Sequence, residues 1–138
     1  MSAPAQQAYL EDVEVGRVVE TPAMTVTETH VQIFEALTRD WAPERAAVPD
    51  LLPLCLVIGL GWRAPHPPLV VLAFLGFEWE FVRSLRVGDT IHSRARIVTK
   101  RAMREGGVVI EEREVLDQRG DTVQRGRFSF LVARRGAG

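Results

Sequence analysis

Residues 51–62, LLPLCLVIGLGW, form an almost wholly apolar stretch of twelve residues, and Asp50 stands directly in front of it. Pro53 falls where a helix tolerates proline, in its first turn, and an aspartate at this place can accept free backbone N–H groups. The stretch therefore predicts a helix that starts at Leu51 with Asp50 as its N-cap. Because this helix is apolar on every face, we expect other elements to wrap around it and Cys55 to lie in the core.

The chain that follows this helix supplies the wrapping. Turn-like separators at 87–89 (VGD), 105–107 (EGG) and 118–121 (QRGD) divide it into segments rich in β-branched residues. These segments predict strands at 69–81, 90–101, 108–117 and 122–133. A buried helix followed by an antiparallel meander is an α+β arrangement in which one curved sheet folds round the helix.

The chain that precedes the central helix predicts a strand and a second helix. Residues 17–27, RVVETPAMTVT, suit a bulged or edge strand because they contain Pro22. Thr27 or Glu28 then caps a helix that runs through Arg39. Its apolar positions recur at helical spacing on one face: Val31, Phe34, Ala36 and Leu37.

Length and charge limit the class of protein. The 138 residues fit one domain, predicted over 9–134, with flexible ends at 1–8 and 135–138. Seventeen basic and eighteen acidic side chains leave a formal charge of −1, which argues against nucleic acid as a partner. No apolar run reaches the roughly 18 residues that membrane spanning needs. The single cysteine and a start without secretory-signal order favour a cytoplasmic protein.

Three stretches resemble the MaoC-like group of the hot-dog fold, which includes (R)-specific enoyl-thioester hydratases and dehydratases. They are YLEDVEVGRVVETPAMTVTETHVQIFEALTRDW at 9–41, VPDLLPLCLVIGLGW at 48–62 and LGFEWEFVRSLRVGDTIHSRARIV at 75–98. The resemblance runs from about Tyr9 to Arg134. It implies a single hot-dog domain that binds an acyl thioester, on coenzyme A or on an acyl carrier protein. It also implies a homodimer, or a heterodimer with a related chain, with the acyl pocket between the subunits.

The catalytic motif of that family is altered here. The family's pattern is aspartate-x-asparagine-proline-x-histidine, in which the aspartate and the histidine together activate a water. Residues 40–45 read DWAPER, so Asp40 and Pro43 match, while Ala42 replaces the asparagine and Arg45 replaces the histidine. Arginine stays protonated and cannot accept the proton. The resemblance leaves Asp40 as the base, and a lone carboxylate needs burial beside Trp41 to hold a proton near neutral pH. The structural alternative is an ordinary helix-end aspartate.

A second departure lies at the start of the central helix. The family's histidine-glycine corresponds to Pro49-Asp50, and in the resembling enzymes backbone N–H groups there polarise the thioester carbonyl. Asp50 as a cap would accept the same N–H groups and oppose the developing negative charge. In the alternative role, Asp50 or Asp40 serves a hot-dog thioesterase, either by direct attack or by activating water.

Two further residues are candidates for substrate binding. Arg45 is either a surface charge or a contact for the phosphates of coenzyme A or of a carrier arm. His66 lies between prolines after the central helix, where its ring either is solvated or sits over a pocket mouth. No Cys/His cluster has metal-ligand spacing and no glycine-rich phosphate loop opens a helix, so neither a metal nor a cofactor is predicted.

The sequence therefore favours a non-standard hydratase or dehydratase, a lyase with Asp40 as base. One alternative is a catalytically silent subunit that pairs with an active MaoC-like chain, because Arg45 and Pro49-Asp50 look like a decayed motif. The other is the thioesterase with Asp50 or Asp40. Loss of one partner from an acid/base pair lowers the rate by about 10² to 10⁴, so a conventional hydratase with this sequence would be slow.

Overall fold

The structure is a computed structural model that describes residues 6–136. A short 3₁₀ helix at Leu10–Asp12 comes first, and α1 (Glu28–Thr38) and α2 (Leu52–Gly61) are the two α-helices. The strands are β1 (Val18–Glu20), β2 (Met24–Thr25), β3 (Val71–Phe81), β4 (Thr90–Met103), β5 (Gly106–Leu116) and β6 (Thr122–Val132). The predicted first strand is thus two short strands, divided around Pro22, which has no N–H for a sheet ladder.

The strands form one antiparallel sheet in the order β1-β4-β5-β6-β3, with β2 also pairing with β4. The α+β prediction is confirmed, and β1 lies at an edge as its proline suggests. The prediction of a simple meander is wrong for β3, because this strand pairs with β6 at the far edge rather than with β4. The chain passes β6 and β5 between the end of β3 and the start of β4, and β3 keeps one open edge.

Helix α2 packs on the inner face of the sheet, but it is not wrapped on all sides. Val57 and Leu60 are buried in a cluster with Val115 of β5. Its opposite face carries Leu51, Cys55, Ile58 and Trp62, all exposed and spaced four, three and four residues apart. The prediction that Cys55 is a core residue is therefore wrong, and one apolar stripe of α2 faces away from its own sheet.

The start of α2 also differs from the prediction. The N-cap is Leu51, no side chain caps the helix, and the N–H of Leu52 donates to the Pro49 carbonyl at 3.1 Å. Asp50 is exposed and is not the cap. The turn at residues 50–51 already follows a helical path, and Pro53 lacks one of the N–H groups that a cap would serve.

Helix α1 begins as predicted. Thr27 is its N-cap, accepting from the N–H of His30 at 3.4 Å, and His30 Nδ1 accepts from the N–H of Thr27 at 3.0 Å. His30 thus has a structural role. Val31 is buried, but Leu37 is 79% exposed, so the predicted apolar face covers only the first turns of the helix.

The outer face of the sheet, turned away from α2, carries an ordered set of charges. Each strand bears one sign on this face, and the sign alternates from each strand to its neighbour. Arg94 pairs with Glu114 at 2.7 Å, and Arg125 pairs with Glu80 at 3.0 Å. The basic strands are β4 (Arg94, Arg96) and β6 (Arg125, Arg127), and the acidic strands are β5 (Glu112, Glu114) and β3 (Glu78, Glu80). We call these eight residues the charge lattice.

The ends of the described chain are tied to the fold. Within the segments predicted to be flexible, Ala8 pairs with Leu69 and Arg135 pairs with Asp12 at 2.5 Å. The rest of the predicted flexible ends, 1–5 and 137–138, lies outside the described residues. Within residues 6–136, neither helix has the length and apolar character needed to cross a bilayer.

Candidate functional site

The segment between the two helices carries Asp40, Trp41 and Arg45, and all three side chains are exposed. Arg39 ends α1 in a left-handed conformation at φ 60°, which turns the chain away from the helix axis. The N–H of Asp40 donates to Thr38 Oγ1 at 3.1 Å. Trp41 is 61% exposed, so the burial beside Trp41 that a lone base requires is not provided within one chain.

Asp50 lies at the entrance of α2, where the sheet holds the backbone in place. Gln124, 3% exposed, donates from Nε2 to the Asp50 carbonyl at 2.7 Å, and its Oε1 accepts from Trp79 Nε1 at 2.9 Å. The N–H of Val48 donates to the Leu85 carbonyl at 3.0 Å. The backbone at the α2 entrance is therefore fixed from two sides, while the Asp50 carboxylate stays in solvent.

His66 lies at the other end of α2 from Asp50. Ten helical residues separate the two ends, a length of about 15 Å. The sequence-predicted site residues thus fall into two groups. Asp40, Trp41, Arg45 and Asp50 are exposed on the approach to α2, and His66 lies beyond its C-terminus.

Two cavities open near the C-terminus of α2. The larger has a volume of about 560 Å³ and lies between the N-terminal segment and β4; the smaller, of about 360 Å³, lies against β3 and β6. Neither is lined by Asp40, Trp41, Arg45 or Asp50. Both are lined by Gly61, His66, Leu69, Glu111 and Arg113. Of the predicted site residues, His66 alone lines these two cavities.

Glu111 and Arg113 are the residues that sequence reasoning missed. They form a salt bridge with only 10% and 12% of their side chains exposed, on the inner face of β5. A signal for this exists in the sequence. In GGVVIEEREVL, at 106–116, Val109 and Val115 are buried apolar residues, and alternation places 111 and 113 on the same face. Two charges therefore interrupt the apolar inner face of the sheet.

Metal ligation has no candidate among residues 6–136, since no three His, Cys, Asp or Glu side chains are grouped there.

Comparison with solved structures identifies the architecture. The chain is similar to a monoamine oxidase regulatory protein from Archaeoglobus fulgidus, with a TM-score of 0.84 and 28% identity over 93% of this chain and 95% of that one. A MaoC-like dehydratase from Rhodospirillum rubrum is similar with a TM-score of 0.79 and 18% identity, over 93% of this chain and 98% of that one. The R-hydratase PhaJ1 from Pseudomonas aeruginosa is similar with a TM-score of 0.77 and 20% identity, over 95% of this chain and 89% of that one.

No protein-family model matches the sequence, and a search of curated proteins finds no significant relative. The curved sheet, the helix on its inner face and these structural matches agree with the resemblance read from the motifs. The chain therefore has the hot-dog fold, and its architecture is similar to that of the MaoC-like dehydratase and the R-hydratase.

Proposed function

We propose that this protein binds an acyl thioester, on coenzyme A or an acyl carrier protein, and acts in the cytoplasm as a non-standard hydratase or dehydratase with Asp40 as the base. The observation that carries the proposal is the MaoC-like fold together with an aspartate retained at the motif position before Pro43. The fixed backbone at the α2 entrance supports it, because N–H groups at a helix start suit a developing oxyanion.

The proposed working unit contains a second chain. The stripe of Leu51, Cys55, Ile58 and Trp62 is exposed, and its Ile58 and Trp62 line the smaller cavity together with residues of β3, the strand with an open edge. Exposed contiguous apolar surface of this kind marks an interface. We place a second copy, or a related hot-dog chain, on this face. It would also bring the acyl pocket between the subunits and supply the burial that Asp40 and Trp41 lack.

The direct test uses the full-length protein and crotonyl-CoA, with hydration followed by loss of the enoyl absorbance. Asp40→Asn keeps the shape and removes the base, so we expect a loss of at least about 10² in kcat/KM. Glu44→Gln, an exposed acid in the same segment, is the matched control and should retain activity. Full activity in Asp40→Asn removes Asp40 from the mechanism.

A silent subunit is the second candidate function, and one observation favours it. Neither Asp40 nor Arg45 lines either of the two cavities at the C-terminus of α2, so the altered motif stands apart from these cavities. In this case the protein alone neither hydrates crotonyl-CoA nor releases its thiol. Co-expression with a MaoC-like chain that has an intact aspartate and histidine would then give a stable heterodimer with higher activity than the partner alone.

The thioesterase alternative predicts a different product from the same mixture. Free coenzyme A, detected with a thiol reagent, would accumulate without formation of a hydroxyacyl thioester. Asp50→Asn and Asp40→Asn then identify the acid responsible.

A further inference from the structure

The two cavities at the C-terminus of α2 share a polar wall on the inner face of the sheet. Val109 belongs to one buried apolar cluster and Val115 to another, and Glu111 and Arg113 lie between them on the same strand face. The guanidinium of Arg113 lies 4.8 Å from the ring centre of Phe128. A Cβ built at Gly61 would be 3.9 Å from both terminal nitrogens of Arg113, an ordinary contact distance, so the last residue of α2 lies beside this guanidinium.

Three buried polar atoms on this wall have no hydrogen-bond partner among the described residues. They are Arg113 Nε, His66 Nε2 and Ser93 Oγ, and all three residues line the larger cavity. Ser93 is fully buried. Buried polar groups are nearly always paired, because an unpaired one loses its hydration without compensation. All three belong to residues that line one cavity, where a ligand is able to supply the missing partners.

The charges of the wall define the chemistry of that ligand. Glu111 already neutralises Arg113, so the wall offers no excess positive charge for an anion. The unpaired groups include two that donate, the N–H of Arg113 and the hydroxyl of Ser93, and a histidine nitrogen that can take either role. A hydroxyl or carbonyl oxygen matches them. The smaller cavity adds an apolar lining that includes Ile58, Val71, Phe74 and Phe130.

We propose that the cavity wall of His66, Ser93, Glu111 and Arg113 binds a neutral oxygen substituent on an otherwise apolar chain. We identify this apolar chain as the acyl chain of the thioester, an identification that rests on the proposed function. The wall then selects oxygen-substituted acyl groups over plain alkyl groups. The substituent is remote from the carbonyl bound at the entrance of α2, because the two places lie at opposite ends of that helix.

The test measures binding of simple probes to the full-length protein by calorimetry. 1-Octanol and 2-octanone carry a neutral oxygen, and octanoate is the anionic probe of matched chain length. We expect the two neutral probes to bind at least about tenfold more tightly than octanoate, a difference of one well-formed hydrogen bond or more. Tighter binding of octanoate overturns the neutral-oxygen assignment, and no binding of octanol overturns the site.

Two variants separate recognition from folding. Ser93→Ala removes one unpaired hydroxyl and should weaken 1-octanol several-fold, while Ser129→Ala, on the outer side of β6, should not. The double change Glu111→Leu with Arg113→Met removes the ion pair as a unit, which buried pairs often tolerate without loss of stability. It should fold and lose 1-octanol binding by about tenfold. Unchanged octanol affinity in both cavity variants contradicts the proposal.

These probes contain no thioester, so the two proposals fail separately. Octanol binding by a protein that neither binds nor converts any acyl thioester refutes the acyl-thioester function and leaves the oxygen site. Turnover of crotonyl-CoA by a protein without the octanol preference refutes the oxygen site alone.

Discussion

Gln124 holds the carbonyl of Asp50 across 2.7 Å, and this bond connects β6 to the entrance of α2. The other end of the same amide accepts from Trp79 of β3. One buried glutamine thus sets the position of the helix start relative to two strands. Any reaction that uses backbone N–H groups at that helix start depends on this side chain.

Replacement of Gln124 by leucine keeps the volume of the side chain and removes both bonds. Because the Asp50 carbonyl and the Trp79 N–H would be left unpaired, we expect the free energy of unfolding to fall by about 1–3 kcal/mol per unpaired group. Urea denaturation measures it. Gln32→Leu on the exposed side of α1 is the control and should change stability by less than about 0.5 kcal/mol. Equal effects of the two variants would contradict this role of Gln124.

The surroundings of Asp117 predict that the free energy of unfolding falls at acid pH. Burial acts to raise the pKa of this carboxyl, but the N–H groups of Asp121 and Arg119 and the charge of Arg83 outweigh it, so the pKa is lowered from 3.8. Its stabilisation is present above 3.8 and is lost as the pH falls through the lower folded-state value. Asp117→Asn should cost about 1.5–3 kcal/mol at pH 7, and the difference from wild type should shrink below pH 4.

Asp121 provides the matched control for that pH experiment. It pairs with the same Arg83 at 3.2 Å, but 56% of its side chain is exposed. Exposed ion pairs contribute little, so Asp121→Asn should cost less than about 1 kcal/mol at any pH. A pH-independent difference between Asp117→Asn and wild type would show that the carboxylate charge of Asp117 is not the stabilising factor.

Gly126 marks the closest approach of β6 to β3. A Cβ at this position would overlap the carbonyl oxygen of Glu78 and lie 2.6 Å from Cε3 of Trp79. Gly126→Ala should therefore lower the free energy of unfolding by about 1–3 kcal/mol, because the two strands must separate. Gly59→Ala adds the same methyl group where nothing lies within 4 Å, and thermal melts of the two variants compare them. A neutral Gly126→Ala would be inconsistent with the packing of Trp79.

Ile58 tests the interface proposed on α2. Ile58→Glu places a charge in the middle of the exposed apolar stripe, and the dissociation constant of the dimer should rise by about 10² or more. Light scattering over a concentration series measures the oligomeric state. Val15→Glu, at an exposed apolar position in the turn before β1, is the control and should leave the dimer intact. A wild-type protein that stays monomeric at micromolar concentration, alone and with a related chain, contradicts the interface.

Restoration of the family motif tests what Asp50 does. Ala42→Asn with Arg45→His supplies the missing water-binding groups, and we expect crotonyl-CoA hydration to rise by about 10². Because the structure shows that Asp50 does not cap α2, adding Asp50→Gly should change this rate little. Activity that appears only in the triple variant would show that the charge of Asp50 opposes the oxyanion. A folded but inert triple variant favours the silent subunit.

The helices and strands of this fold could be predicted from the sequence. The place of β3 in the sheet and the covering of α2 could not. Turn residues such as Gly88 and Gly120 adopt positive φ, and this local requirement located the strand ends well. The position of β3 beyond β6 depends on long-range pairing, for which alternation gives no partner. The prediction for Cys55 is wrong because an apolar helix can be covered by its own chain or by another chain. Both cases give the same apolar pattern in the sequence.

The site was predicted less well than the fold for a physical reason. Asp40 and Asp50 belong to short motifs that sequence shows directly, and their solvent exposure depends on the assembled chain. Glu111 and Arg113 carry no motif, since their significance comes from facing inward beside Phe128. The alternation of Val109 and Val115 assigns β5 an inner face, and the same alternation places both charged residues on it.

The charge lattice has a consequence for how the sheet assembles. Since a strand carries only one sign on its outer face, sliding it by two residues still brings opposite charges together, whereas exchanging β5 with β6 would set like charges side by side. The lattice therefore discriminates between neighbours and not between registers. Register is left to the inner face, where residues such as Gly126 and Trp79 fit in one alignment only. Strand order and strand alignment are thus encoded on opposite sides of the same sheet.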